Sequence, residues 1–138
     1  MSHFEIFGLY LIANLVLMMV LTVAIIRFRM NNAVSLGDGG SPVLQGRVRA
    51  HANLVENAPL HLLALISMTQ LGTSSLMLHV VGGTFIVGRV LHAWGITRER
   101  NANLPRQIGV VLTLVSFAVA IAYIAFLVLQ SRGSYGIS

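Results

Sequence analysis

The chain has 138 residues, of which 56% are hydrophobic and only 9% are charged. A soluble domain carries about 25% charged residues, so this composition excludes a soluble enzyme and a disordered tail and points to a lipid bilayer. The absence of cysteine excludes disulfides, thiolate zinc sites and a cysteine nucleophile. The net charge of +5 comes from nine arginines and four acidic residues, with no lysine, and indicates membrane topology rather than nucleic-acid binding.

Four long apolar runs predict four membrane-spanning helices. Each is long enough to cross a hydrocarbon core of about 30 Å, and they cover residues 6–26, about 48–71, about 76–96 and 107–131. A Gly- and Ser-rich loop, a short uncharged turn and a polar loop connect them in that order. Because a spanning backbone must satisfy its own hydrogen bonds, we predict a single-domain, all-α integral membrane protein with a four-transmembrane-helix bundle.

The arginines predict how the chain is oriented. Four flank the first loop, three lie in or beside the third loop, and the turn between the second and third spans has none. By the positive-inside rule, the loops at 27–49 and 97–106 are cytoplasmic.

A polar stripe runs along the first half of the second span. At 100° per residue, Arg49, Asn53 and Glu56 fall on one helix face. Turning such groups toward lipid would cost about 3 kcal/mol each, so we expect this face to meet protein or a polar cavity. Pro59 lacks a backbone donor and is expected to kink or loosen the helix below the stripe.

The other spans bring further polar groups to the same membrane surface. Arg89 and His92 share a face of the third span, Arg27 ends the first span and Arg106 begins the fourth. The excess of arginines over the single carboxylate of Glu56 suggests an anionic ligand. The alternatives are that Arg27 and Arg106 only anchor the helix ends, and that the stripe forms a structural ion pair between helices.

No metal site is predicted. His51 and His61 are ten residues apart and lack the spacing of a zinc motif.

The motifs resemble those of a known family. The pattern R-A-x-x-N-x-x-E-x-x-P of the MAPEG family (membrane-associated proteins in eicosanoid and glutathione metabolism) is matched at Arg49, Ala50, Asn53, Glu56 and Pro59. The segments Gly88–His92 and Leu104–Gly109 are similar to blocks in the third and fourth helices of that family. The short loops look like those of bacterial members, which implies an inner or plasma membrane.

The resemblance implies a homotrimer that binds glutathione, as co-substrate, at each subunit interface. Arg49 and Asn53 would take its carboxylate and peptide oxygens, and Glu56 would pair with its α-amino group. The third helix would add Arg89 and His92 to the binding set. The predicted catalytic residues are Arg106, near the sulfur, and Arg27, which would reach the site from a neighbouring subunit.

The implied activity is that of a membrane glutathione transferase. An arginine near the thiol favours the thiolate, which would conjugate or reduce a hydrophobic electrophile taken from the bilayer. Two alternatives stay open: a non-catalytic lipid-binding or lipid-presenting protein of the same fold, and an unrelated small transporter or assembly subunit with a structural Arg–Glu pair.

The chain also departs from the family pattern. Several eicosanoid-handling members carry a tyrosine one turn beyond the position of His92, where this chain has Ile96. The loop before the fourth span aligns loosely, so Arg98 or Arg100 are alternatives to Arg106 beside the sulfur.

Overall fold

The computed structural model describes residues 1–98 and 103–135, with side chains through residue 131. It contains four helices: α1 (His3–Asn31), α2 (Pro42–Gln70), α3 (Ser75–Arg98) and α4 (Leu104–Tyr135). The predicted all-α fold with four helices is confirmed, and each helix extends beyond its predicted span at one or both ends.

Side-chain caps explain where the first two helices begin. Ser2 and Glu5 form a capping box at α1, in which the Ser2 hydroxyl accepts from the Glu5 N–H at 3.2 Å and the Glu5 carboxylate accepts from the Ser2 N–H at 2.7 Å. At α2, Ser41 is the N-cap and Pro42 is the first helical residue, where a missing N–H costs nothing. The second helix therefore begins six residues before the predicted span, whose start near residue 48 follows hydrophobicity alone.

Three of the helices are long and apolar enough to cross a membrane by length and composition: α1, α3 and residues 104–131 of α4. Their outward faces carry exposed side chains such as Ile12, Met19, Ile121 and Leu129, which suit a lipid surface. Helix α2 is not apolar enough to be counted with these three, because its first half is polar and charged.

Helices α2 and α3 each contact the other three helices, and the most extensive packing is between α3 and α4. One apolar cluster occupies the half of the bundle near the α2–α3 turn, and its buried members are Ile6, Leu65, Met68, Leu78, Val81 and Ala120. A second cluster occupies the other half and contains Leu21, Ala50, Leu54, Ala58, Phe85 and Ala93. We call the end of the bundle beyond this second cluster, where α1 and α3 end and α2 and α4 begin, the basic end.

The backbones of α3 and α4 touch directly at a glycine. A Cβ on Gly109 would lie 2.5 Å from the backbone nitrogen of His92 and 2.6 Å from the Gly88 carbonyl oxygen. Real Cβ atoms essentially never approach other atoms this closely, so only glycine allows this crossing. The contact fixes the position of His92 against the first turns of α4.

A buried polar chain joins three helices between the two clusters. The fully buried His61 ring stacks on Phe85 at 3.8 Å, and its Nε2 lies 3.0 Å from the Ser116 hydroxyl oxygen. Ser116 donates its only hydrogen to the Val81 carbonyl at 2.8 Å, so Nε2 must be the donor to Ser116. This arrangement assigns His61 a structural role that its sequence position did not reveal.

Candidate functional site

A groove opens at the basic end, between the start of α2, the end of α3 and the start of α4. Its volume is about 610 Å³, and we call it the basic groove. It is lined by Pro42, Val43, Gln45, Gly46, Arg49, Ile96, Thr97, Arg98 and Arg106. Three helices thus contribute one arginine each, and no carboxylate is among these lining residues. The groove is therefore suited to an anionic ligand.

Two glycines allow the three helix ends to meet around the groove. A Cβ on Gly46 would lie 2.7 Å from the Ile96 carbonyl oxygen, so α2 and the end of α3 are in backbone contact. A Cβ on Gly95 would lie 2.6 Å from the Arg106 nitrogen, which places the start of α4 equally close. The backbone atoms cannot move aside, so larger residues at 46 and 95 would open the site.

Asn103 sets the position of Arg106. Its side-chain oxygen accepts from the Arg106 N–H at 3.1 Å, which caps α4, and its side-chain nitrogen donates to the Gly95 carbonyl at 2.8 Å. One residue therefore joins the end of α3 to the start of α4. The sequence carried a signal for this cap, because asparagine two residues before Pro105 at the start of an apolar run is a typical helix beginning.

The predicted polar stripe on α2 forms, and the other described helices leave much of it uncovered. Arg49 and Glu56 are exposed and Asn53 is half-buried. Among the described residues, Glu56 has no hydrogen-bond or ion-pair partner, and Arg49 and Glu56 do not pair with each other. The structural Arg–Glu pair that we considered from the sequence is thus not formed over the part of the chain that the structure describes.

Arg89 turns into the bundle instead of into the basic groove. It is only 4% exposed and its guanidinium lies 5.7 Å from the centre of the Phe85 ring. Nη1 donates to the Asn53 side-chain oxygen, and Nε donates to the Thr113 hydroxyl at 3.1 Å. Arg89 therefore joins α2, α3 and α4 and holds one residue of the polar stripe.

His92 is buried beside the crossing of α3 and α4. It is 5% exposed and lies beside the Arg106 backbone, and neither ring nitrogen makes a hydrogen bond of good geometry to the described residues. A buried polar group without a partner is costly, and such groups in native proteins often await a ligand or water. The ring adjoins the Arg106 end of the site but is not among the residues that line the basic groove.

The remaining arginines at this end have different surroundings. Arg27 is exposed on α1 and does not line the basic groove. Arg98 lines the groove and packs over the Trp94 ring, with its guanidinium carbon 5.0 Å from the ring centre. Arg100, the other alternative for the position near the sulfur, lies outside the described residues.

Arg47, for which the sequence indicated no role, ties α2 to α1. Its Nη1 donates to the Ala24 carbonyl at 2.8 Å, and its guanidinium carbon lies 5.1 Å from the centre of the Phe28 ring. This contact depends on the packing of two helices and had no signal in the sequence.

The described residues contain no group of three or more metal-ligating side chains close enough to hold a metal ion. Besides its three arginines, the basic groove is lined by the amide of Gln45 and the hydroxyl of Thr97.

Comparison with known proteins places the chain in a family. The family model described as "MAPEG family" matches residues 7–126. Two similar relatives are the inner membrane proteins YecN of Escherichia coli K12 and of Escherichia coli O6:H1, each 33% identical over 88 residues, which are 64% of this chain and 67% of the relative. These matches, together with three helices that are long and apolar enough to cross a membrane, show that the chain is an integral membrane protein and belongs to the MAPEG family.

Proposed function

We propose that this protein is a membrane glutathione transferase that binds glutathione in the basic groove and along the adjoining polar stripe of α2, and conjugates it to a hydrophobic electrophile from the bilayer. The observation that carries the proposal is the convergence of Arg49, Arg98 and Arg106 on one groove whose lining residues include no carboxylate. Glutathione brings the missing negative charge, since it has two carboxylates, one ammonium group and a thiol that becomes negative when it reacts.

The size of the site supports a tripeptide. The groove volume of about 610 Å³ lies within the range of about 300–1,000 Å³ for small-molecule sites. Arg49 and Glu56 are two helical turns apart, a rise of about 10 Å, which is close to the length of three extended residues. Arg49 can therefore bind a carboxylate at one end of glutathione while Glu56 pairs with the ammonium group toward the other end.

We also propose that a second copy of this chain covers the polar stripe, in a homotrimer. The stripe continues toward the α2–α3 turn through Leu60 and Leu63, which are 64% and 61% exposed. Leaving the Arg49 and Glu56 charges against lipid would cost about 3 kcal/mol each, so protein contact is favoured. The exposed Arg27 of one subunit would then complete the site of its neighbour.

The reaction needs little from the protein beyond charge and position. Arg106 stabilises the negative charge of the glutathione sulfur and so favours the thiolate, the reactive form of a thiol whose pKa is otherwise about 8.5. The thiolate attacks an electrophilic carbon, a C–S bond forms, and the displaced electron pair leaves with the leaving group or is protonated by water. The bilayer supplies the apolar substrate at high local concentration beside the bound sulfur. The names of the YecN relatives favour the bacterial inner membrane as the location.

The test is thermal unfolding of the detergent-purified protein across a glutathione titration. A ligand at 100 times its dissociation constant stabilises the protein by about 2.7 kcal/mol. Arg49→Ala and Glu56→Gln should reduce the shift, and Arg106→Gln should remove the preference for glutathione over S-methylglutathione. The matched control is Arg29→Gln, because Arg29 is on α1 and its guanidinium donates to the Gly37 carbonyl, away from the groove. No shift with millimolar glutathione would contradict the proposal.

A second candidate, a non-catalytic lipid-binding protein, is favoured by an apolar groove between α1 and α2. It has a volume of about 250 Å³, and most of its lining is apolar, including Leu11, Met18, Leu54 and Leu62. This candidate predicts that lipid binds while the thiol concentration of a glutathione solution with an added electrophile stays constant. Loss of free thiol that requires Arg106 would favour the transferase.

A further inference from the structure

The contacts of Arg89 fix the direction in which Asn53 points. Nη1 of Arg89 donates to the side-chain oxygen of Asn53, and the Asn57 side-chain nitrogen lies 3.5 Å from the same oxygen. The oxygen of the Asn53 carboxamide is thus occupied inside the subunit. Among the described residues nothing accepts from the Asn53 side-chain nitrogen, which keeps both of its hydrogens available.

Thr113 holds Arg89 in this orientation. Its hydroxyl donates its only hydrogen to the Gly109 carbonyl at 2.8 Å, so its oxygen must accept from the guanidinium, through Nε at 3.1 Å and through Nη2. Thr113 is 4% exposed and lies inside the bundle on α4, where it cannot contact a ligand in the basic groove. The chain of contacts therefore runs from α4 through Arg89 to the polar stripe.

The charge of Arg89 also favours Asn53 as a hydrogen-bond donor. Over the described part of the chain, no carboxylate pairs with its guanidinium, although the side chain is buried. The uncompensated positive charge polarises the Asn53 carboxamide along the hydrogen bond and makes its N–H groups stronger donors. The occupied oxygen and the polarisation by Arg89 therefore both favour donation from the Asn53 side-chain nitrogen.

We infer that Arg89 is a positioning residue that makes Asn53 a hydrogen-bond donor only, so that Asn53 selects a negatively charged or carbonyl oxygen of the ligand and rejects an ammonium group. This inference rests on the proposed function for the identity of the ligand, glutathione. It keeps the α-amino group of glutathione, which the proposed function gives to Glu56, away from Asn53.

The deciding variants replace Asn53. Asn53→Asp keeps an oxygen for Arg89 and strengthens that contact to an ion pair, but it removes the donor and adds a negative charge. Its unliganded stability should equal or exceed that of the wild type, while its dissociation constant for glutathione rises roughly 10- to 100-fold. Asn53→Ala loses the contact with Arg89 and the contact with the ligand. It should therefore be less stable than Asn53→Asp, but its affinity for glutathione should be higher than that of Asn53→Asp. Tighter glutathione binding by Asn53→Asp would overturn the inference.

The positioning role is tested at Thr113, where a serine keeps the hydroxyl and a valine has the same shape without it. Thr113→Val should weaken glutathione binding, whereas Thr113→Ser should stay close to the wild-type affinity. In an Asn53→Ala background, Thr113→Val should have no further effect on affinity, because the residue through which it acts is gone. Equal losses in both backgrounds would show a general structural effect and overturn the positioning role.

Failure of the proposed function is distinguishable from failure of this inference. If the wild type does not bind glutathione, the proposed function falls, and with it the choice of ligand. The unliganded unfolding temperatures then decide whether Arg89 uses Asn53 as its acceptor. If this contact exists, Asn53→Asp should unfold at or above the wild-type temperature, and both Asn53→Ala and Thr113→Val should unfold below that temperature. Any other order would overturn the contact.

Discussion

Replacing Gly109 with alanine should separate α3 from α4 and destabilise the protein. The new Cβ would lie 2.5 Å from the His92 nitrogen and 2.6 Å from the Gly88 carbonyl oxygen, both of which are backbone atoms that cannot rotate away. Restoring contacts above 3.0 Å requires the helices to part by roughly 0.5 Å, a gap that already forfeits about a quarter of the dispersion energy along the interface. We expect a loss of about 1–3 kcal/mol of unfolding free energy.

The assay is reversible unfolding in mixed micelles with increasing SDS, followed by circular dichroism. Gly8→Ala is the matched control, because Gly8 lies within α1 and a Cβ there would meet nothing within 4 Å. Since alanine is the better helix former, this variant should be neutral or stabilised by up to about 1 kcal/mol. If Gly109→Ala were as stable as Gly8→Ala, the close crossing of α3 and α4 would be wrong.

Three further changes probe single contacts. Ser116→Ala leaves the buried His61 Nε2 without an acceptor and should cost about 1–3 kcal/mol in the same unfolding assay, whereas Ser116→Thr keeps the hydroxyl and should cost less. Arg47→Met keeps the long apolar stem but loses the hydrogen bond to α1, so unfolding should become easier by about 1.5–3 kcal/mol, and an unchanged midpoint would contradict that contact. Asn103→Ala removes the α4 cap, which should lower stability by about 1 kcal/mol and weaken glutathione binding through Arg106, and Asn103→Asp should restore the cap.

Much of the fold could be predicted from the sequence because hydrophobic length alone identifies membrane helices. The four runs matched four helices, and the polar stripe occupies one face of α2 as the 100° rotation requires. The start of α2 was placed six residues late because polarity at its first turns outweighed the Ser41–Pro42 start signal.

The site was harder to predict, because the direction of a side chain depends on partners far along the chain. Arg89 and His92 were predicted to share one face of α3, and both side chains are buried there. However, the partner of Arg89 on α4 is Thr113, 24 residues away, and no local sequence pattern predicts this contact. The same limit applies to Arg47, whose acceptor is 23 residues earlier, and to the His61–Ser116 contact.

The most direct test of the central claim is whether the protein binds glutathione as the thiolate beside Arg106. Glutathione is added to the purified protein near neutral pH, and the ultraviolet absorbance of the thiolate is followed by difference spectroscopy. The account predicts a saturable thiolate signal, lost in Arg106→Gln, retained in Arg29→Gln and absent with S-methylglutathione. A wild-type protein that shows no thiolate signal at millimolar glutathione, or one whose signal survives Arg106→Gln unchanged, would contradict it.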